Sequence, residues 1–255
     1  MSTAIPPLPS EAVATPPLSE AQRIINTFVA PSKTFADIRR NPSWWVPWLL
    51  VSIVSMAFFY TVEKKVGFDT IVNTTMEHAP AFMQQAMESL TPEQRQQRLQ
   101  GQIAGQRFVS IYLSWLTYLI LGLIAAALYM VAFNFVLEAG IPYKNSLAVF
   151  FYGMLPKIFF SLLAIIVLIR GVDPTGFNLE NPINTNVAAF LDRWNTSRFL
   201  YHLLSFVDVF TIWSVILLGM GYARQSAKKI STGTAITTVA VVYFIGALIR
   251  AVLPF

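Results

Sequence analysis

The run from Phe199 to Tyr222 is apolar for long enough to cross a bilayer, yet it carries a carboxylate, Asp208, near its middle. No other feature constrains the chain as tightly. A spanning helix needs about 20 consecutive apolar residues. An ionised carboxylate inside one costs about 2.5–3.5 kcal/mol on insertion scales, so it calls for a partner. The best-placed candidate is Lys157, near the middle of another apolar run. Runs of comparable length cover about 44–62, 109–137, 147–169 and 232–253. Only 12% of the residues are charged, against about 25% in soluble domains. The expected fold is therefore all-α: a polytopic membrane protein, a bundle of five transmembrane helices with an N-terminal interfacial amphipathic helix.

The pair can be tested by depth. Lys157 lies ten residues from Leu147, where its span begins, and Asp208 fourteen from Tyr222, where the next ends on the same side. At about 1.5 Å per residue the depths are roughly 15 and 21 Å. A long lysine side chain covers the difference of about 6 Å. Gly153, Lys157, Ser161 and Ala164 share one face of their span. That face is small and polar, so it belongs inside the bundle. Pro156 should kink the same helix.

Segments outside the runs complete the organisation. Residues 1–18 hold Pro6, Pro7, Pro9, Pro16 and Pro17 among small and polar residues, which predicts a disordered tail. Residues 19–43 predict short amphipathic helices: Ser19 and Gln22 form a capping-box pattern, and Ile24, Ile25, Phe28 and Val29 oppose Glu20, Arg23 and Asn26. They either lie in the headgroup region or pack on the bundle. Residues 44–255 form the membrane domain. Trp44, Trp45 and Trp48 at its entrance suit an interfacial anchor. The polar insert 63–108 ends in a helix capped by Thr91 and Gln94, expected to run straight into the second span.

The net charge of +5 is dispersed, so it indicates topology rather than nucleic-acid binding. Basic residues concentrate before the first span (Arg23, Lys33, Arg39, Arg40) and between the last two (Arg224, Lys228, Lys229), which places the N-terminus in the cytoplasm. There are no cysteines, which excludes disulfides, thiolate metal sites and thiol catalysis. The two histidines, His78 and His202, are too few for a histidine metal site. With no HExxH, Walker or GxSxG pattern either, no enzyme, cofactor or metal is expected.

Several motifs carry a resemblance. Pro31-Ser32-Lys33-Thr34-Phe35-Ala36-Asp37-Ile38 is followed by Asn41-Pro42-Ser43-Trp44-Trp45-Val46-Pro47; then come Tyr152-Gly153-Met154-Leu155-Pro156 and Asp208-Val209-Phe210-Thr211-Ile212-Trp213, with Gly219 downstream. Their order resembles the Yip-domain family of integral membrane proteins, named for interaction with Ypt/Rab GTPases. The match extends from about Ala21 through most of the chain, and the tryptophan-rich entrance resembles the bacterial branch. The resemblance implies a five-helix protein of the bacterial inner membrane. Its signature positions here are Pro42, Trp44, Trp45, Tyr152, Pro156, Asp208, Phe210, Trp213 and Gly219. Eukaryotic relatives are associated with vesicle trafficking and membrane shaping; their acidic GTPase-linked motif is not visible in this tail.

The expected function is non-enzymatic, acting through the lipid bilayer and through protein partners or further copies of the chain in membrane organisation or trafficking. The alternative is a small transporter or permease for ions or lipids using Lys157 and Asp208. A transporter needs a hydrated cavity reaching the pair; a scaffold needs a dry pair and an exposed contact surface.

Overall fold

The structure is a computed structural model that describes residues 16–252. The tail expected over 1–18 therefore lies almost wholly outside the described residues. The described chain is helical, with no named strand. In order the helices are α1 (Glu20–Val29), α2 (Pro31–Arg40), α3 (Trp45–Lys65), α4 (Phe68–Glu77), α5 (Ala81–Glu88), α6 (Pro92–Tyr112), α7 (Ser114–Val136), α8 (Tyr143–Gly153), α9 (Pro156–Arg170), α10 (Arg198–Ser205), α11 (Val209–Gln225) and α12 (Thr232–Val252). A single 3₁₀ turn, Val187–Phe190, interrupts the loop before α10.

Among the described residues, four helical stretches are long and apolar enough to cross a membrane: Trp45–Lys65, Ser114–Val136, Tyr143–Arg170 and Thr232–Val252. This is an integral membrane protein. The stretch expected as one span over 199–222 is instead two helices, α10 and α11, separated at Phe206–Asp208. α11 has 17 residues, about 26 Å at the helical rise and short of a hydrocarbon core of about 30 Å. The Thr91–Gln94 capping box forms as the spacing requires, but α6 stops at Tyr112 and α7 restarts at Ser114. Pro156 takes the first position of α9 and breaks 147–169 into α8 and α9, because its ring and missing N–H cannot continue the preceding turn.

α11 is the hub and packs against α2, α8, α9 and α12. Its close approaches depend on glycine: a Cβ on Gly219 would sit 2.6 Å from the Ile236 Cα, and one on Gly221 would meet Phe35 and Val149. Two large apolar clusters, with a smaller one of Ala126, Leu147 and Phe151, fill the bundle. One contains Phe35, Ile38, Tyr152, Leu155, Leu218 and Tyr222. The other contains Phe58, Val62, Ile111, Ala164, Leu168 and Phe210. Many other large apolar side chains are exposed, among them Leu121, Ile124, Leu128 and Phe135 on α7, as a lipid-facing surface requires.

Contacts between loops define the two ends. At one end Ala227 N donates to Ala139 O at 2.8 Å and Lys228 pairs with Glu138, so the α7–α8 turn meets the α11–α12 connection. Asn134 holds that turn by bonding both backbone groups of Ile141. At the other end Arg250 near the end of α12 pairs with Glu180 at 3.0 Å, and His78 of the insert stacks on Trp194 at 3.7 Å.

The N-terminal helices pack against α8 and α11. Ile24 and Phe28 of the apolar face pack against the core, and part of the polar face turns inward with them. Arg23 and Thr27 are buried, whereas Ile25 and Val29 are 61% and 73% exposed. The physical cause is a closed ion network. The Arg23 guanidinium donates to Asp37 Oδ2 at 2.8 Å and pairs with Glu20 at 3.2 Å, while Arg40 pairs with Asp37 at 2.8 Å. A fully paired guanidinium is tolerated inside. Burial disfavours the charged form of Asp37, but Arg23, the Leu18 N–H and Arg40 together hold its carboxyl below the usual carboxylate range.

Candidate functional site

The site is built around the break before α11. Asp208 has extended backbone and caps the helix, its Oδ1 accepting from Thr211 N at 3.0 Å. A carboxylate at a helix N-terminus satisfies an orphan N–H and meets the positive end of the helix dipole. Broken backbone at membrane depth needs protein partners, and the loop before α10 supplies them. Val187 N donates to Val207 O and Val209 N donates to Thr185 O, both at 3.2 Å, so Asn186 and Asp208 form an antiparallel bridge.

The structure places Lys157 Nζ 3.4 Å from Asp208 Oδ1 and 2.6 Å from Thr211 Oγ1. The other carboxylate oxygen accepts from Thr185 Oγ1. The ammonium also lies 5.4 Å above the Phe160 ring. Asp208 is only 4% exposed, whereas the Lys157 side chain is 29% exposed. The carboxylate is thus committed to protein donors and the lysine looks outward.

It looks into a cavity of about 290 Å³, with Lys157, Asp208 and Thr211 in its lining. Glu180, His202 and Arg250 also line it, with Asn181, Asn186 and Tyr243 among the neutral polar walls and Phe160 and Phe206 as apolar ones. Glu180 is held between His202 Nδ1 at 3.1 Å and Arg250 at 3.0 Å. Burial would raise the Glu180 pKa, but the His202 hydrogen bond and the charges of His202 and Arg250 bring it below the usual range. Asn181 donates to Ser205 Oγ at 2.8 Å and accepts from Asn186 at 2.6 Å, which ties the loop to α10. Toward the opposite end the bundle is packed by the buried side chains Tyr152, Leu155, Leu218 and Tyr222. Among the described residues no group of three His, Asp or Glu side chains converges as a metal site.

The order of these elements is matched by a family model, the Yip1 domain, over residues 25–251. The chain belongs to the Yip1 domain family. Comparison with curated proteins gave no match, and neither did comparison with solved structures.

Within this Yip1 domain the signature positions have separate physical duties. Asp208 caps α11, and Phe210 packs edge-on against Phe160 at 5.9 Å. Trp213 stacks on Phe159 at 5.8 Å and receives the edge of Phe28 from α1 at 5.5 Å. Tyr152 is fully buried and donates to Glu20 Oε2 at 2.6 Å. Pro156 starts α9 and Gly219 admits α12. Trp44 stacks on Phe151 at 5.7 Å, with Pro42 just before it, while Trp45 is exposed. Asp208 and Lys157 meet at the cavity, and Phe210 packs behind its wall residue Phe160; Pro42, Trp44 and Trp45 do not line it.

The residues missed by sequence reasoning are Thr185, Glu180, Asn181, Asn186, His202, Tyr243 and Arg250. They come from a loop and two helices, α10 and α12, so no spacing joins them. The sequence offered one local signal, that Asp is a favoured N-cap residue, but residue type alone does not separate a helix start from a charge inside a span.

Proposed function

We propose that this Yip1-domain protein is a non-enzymatic, five-span protein of the bacterial inner membrane, with its N-terminus cytoplasmic, that organises membrane through lipid and protein contacts. The α1–α2 hairpin carries this reading. Its polar side is locked inward by Arg23, Asp37 and Glu20, and Phe28 reaches Phe159 and Trp213 on the bundle at 5.1 and 5.5 Å. Ile25 and Val29 then point outward, 61% and 73% exposed, on the helix pair packed against α8 and α11. A short helix pair with an outward apolar face, inserted on one side, displaces lipid in one leaflet only. Five crossings are supported by the position of the α11–α12 connection: it meets the α7–α8 turn, at the end away from Glu180 and Arg250.

The test is reconstitution of the full chain into mixed small and large vesicles of one composition. Wild type should sort to the small, curved vesicles. The double variant Ile25→Asp, Val29→Asp keeps the buried ion network and should sort evenly. Equal sorting of the two proteins would sink the reading.

The cavity reaching Lys157 favours a second reading, a small transporter or permease. Weighing against it, Asp208 has its acceptors filled by Lys157, Thr185 and Thr211, and the packed layer of Tyr152, Leu155, Leu218 and Tyr222 lies on the other side.

A further inference from the structure

We infer that the cavity between α9, α10, α11 and α12 is a binding site for the headgroup of a zwitterionic phospholipid bearing a primary ammonium, such as phosphatidylethanolamine. This rests on the proposed role in lipid contact and names the lipid chemistry for the end of the bundle opposite the hairpin. Three observations converge.

First, the cavity carries both signs. Its lining holds two cations, Lys157 and Arg250, and two carboxylates, Asp208 and Glu180, with His202 beside Glu180. Asp208 is only 4% exposed, so the exposed charges are Lys157, Arg250 and Glu180, with side chains 29%, 42% and 35% exposed. Glu180 Oε1 and Oε2 already accept from Arg250 and His202, and each keeps a further lone pair. A guanidinium and an ammonium suit a phosphodiester. Two of the three Lys157 N–H groups have protein acceptors, Asp208 and Thr211. Glu180 suits a primary ammonium, whose N–H groups a quaternary choline lacks.

Second, the depth is that of a headgroup. α12 starts at Thr232 and is one of the stretches able to cross a membrane. Arg250 lies 18 residues along it, about 27 Å from Thr232, so it falls near the far boundary of the hydrocarbon core. The cavity descends from that level to Lys157.

Third, the size and the flanks fit. About 290 Å³ accommodates a polar head but not two acyl chains. Beside the cavity, α9 exposes Leu163 and α12 exposes Ile245 and Ile249, where tails can lie.

The test is native mass spectrometry of the full chain released from nanodiscs containing equal phosphatidylethanolamine and phosphatidylcholine with identical acyl chains. Wild type should retain the ethanolamine lipid about tenfold over choline, the ratio expected from one charge-assisted hydrogen bond. Glu180→Gln should abolish the preference while still retaining lipid. Arg250→Gln should lower retention of both lipids. Circular dichroism and thermal melts of both variants separate these effects from misfolding, since wild type alone must show the preference. Equal retention by wild type, or an undiminished preference in Glu180→Gln, would overturn the inference. Thermal protection by soluble O-phosphoethanolamine without lipid enrichment would also overturn it, in favour of a soluble zwitterion. The curvature assay concerns the hairpin at the other end, so failure here leaves that reading standing.

Discussion

Asp208 combines two duties, and substitutions separate them. Asparagine caps a helix about as well as aspartate, so Asp208→Asn keeps the α11 start but removes the ion partner of Lys157. Leaving one member of a buried pair costs about 3–5 kcal/mol. Lys157 faces the cavity, so a value toward or below the lower end is expected. The double variant Asp208→Asn, Lys157→Met removes the stranded charge and should recover part of the loss. Unfolding of both in mild detergent measures it. A double variant no more stable than the single would show that the two side chains are not coupled. The lysine has a second acceptor, Thr211 Oγ1 at 2.6 Å, so recovery should be incomplete.

At the level of elements, the α1–α2 hairpin is held by a titratable lock. Asp37 has a folded pKa below its ordinary value of 3.8 because Arg23, the Leu18 N–H and Arg40 outweigh its burial. A carboxyl lowered on folding contributes stability that is fully present above the unfolded value and lost as pH falls through the folded one. The hairpin should therefore stay docked at neutral pH and loosen below about pH 4. Hydrogen exchange over 20–40 should rise there before exchange in α7 or α12 does. Asp37→Asn should show the loosened state already at pH 7. Uniform exchange across the pH range would remove Asp37 from this role. The lock also explains why Arg23 can turn inward beside Ile24 and Phe28: Asp37 and Glu20 satisfy its guanidinium, which leaves Ile25 and Val29 outside.

For the whole molecule, the topology is directly measurable because the native chain contains no cysteine. Gln85→Cys in α5 and Lys229→Cys in the α11–α12 connection should label from opposite sides of the membrane with an impermeant maleimide. Gln85→Cys should react from outside and Lys229→Cys only after permeabilisation. Labelling of both from one side would mean that α11 does not cross. The ion pair of Lys228 with Glu138 links the connections at one end, and the stack of His78 on Trp194 links those at the other, so each cysteine reports on a group of loops.

Membrane class, helix type, the break at Pro156 and the capping boxes at Ser19 and Thr91 were legible in the residues, because each depends on local hydropathy or on a few neighbouring backbone groups. Lys157 and Asp208 stood out for the same reason: an isolated charge in an apolar run is visible without a fold. The tertiary structure alone decided that Asp208 begins a helix rather than interrupting one. That required Thr185 and Val187, from a distant loop, to satisfy the backbone on either side of the break. It alone decided that Arg23 turns inward, since its partners include Asp37 on the next helix. It also created the cavity, whose charges come from the loop before α10 and from four helices. Local periodicity records which face of a helix is apolar; only the packed bundle records what each face meets.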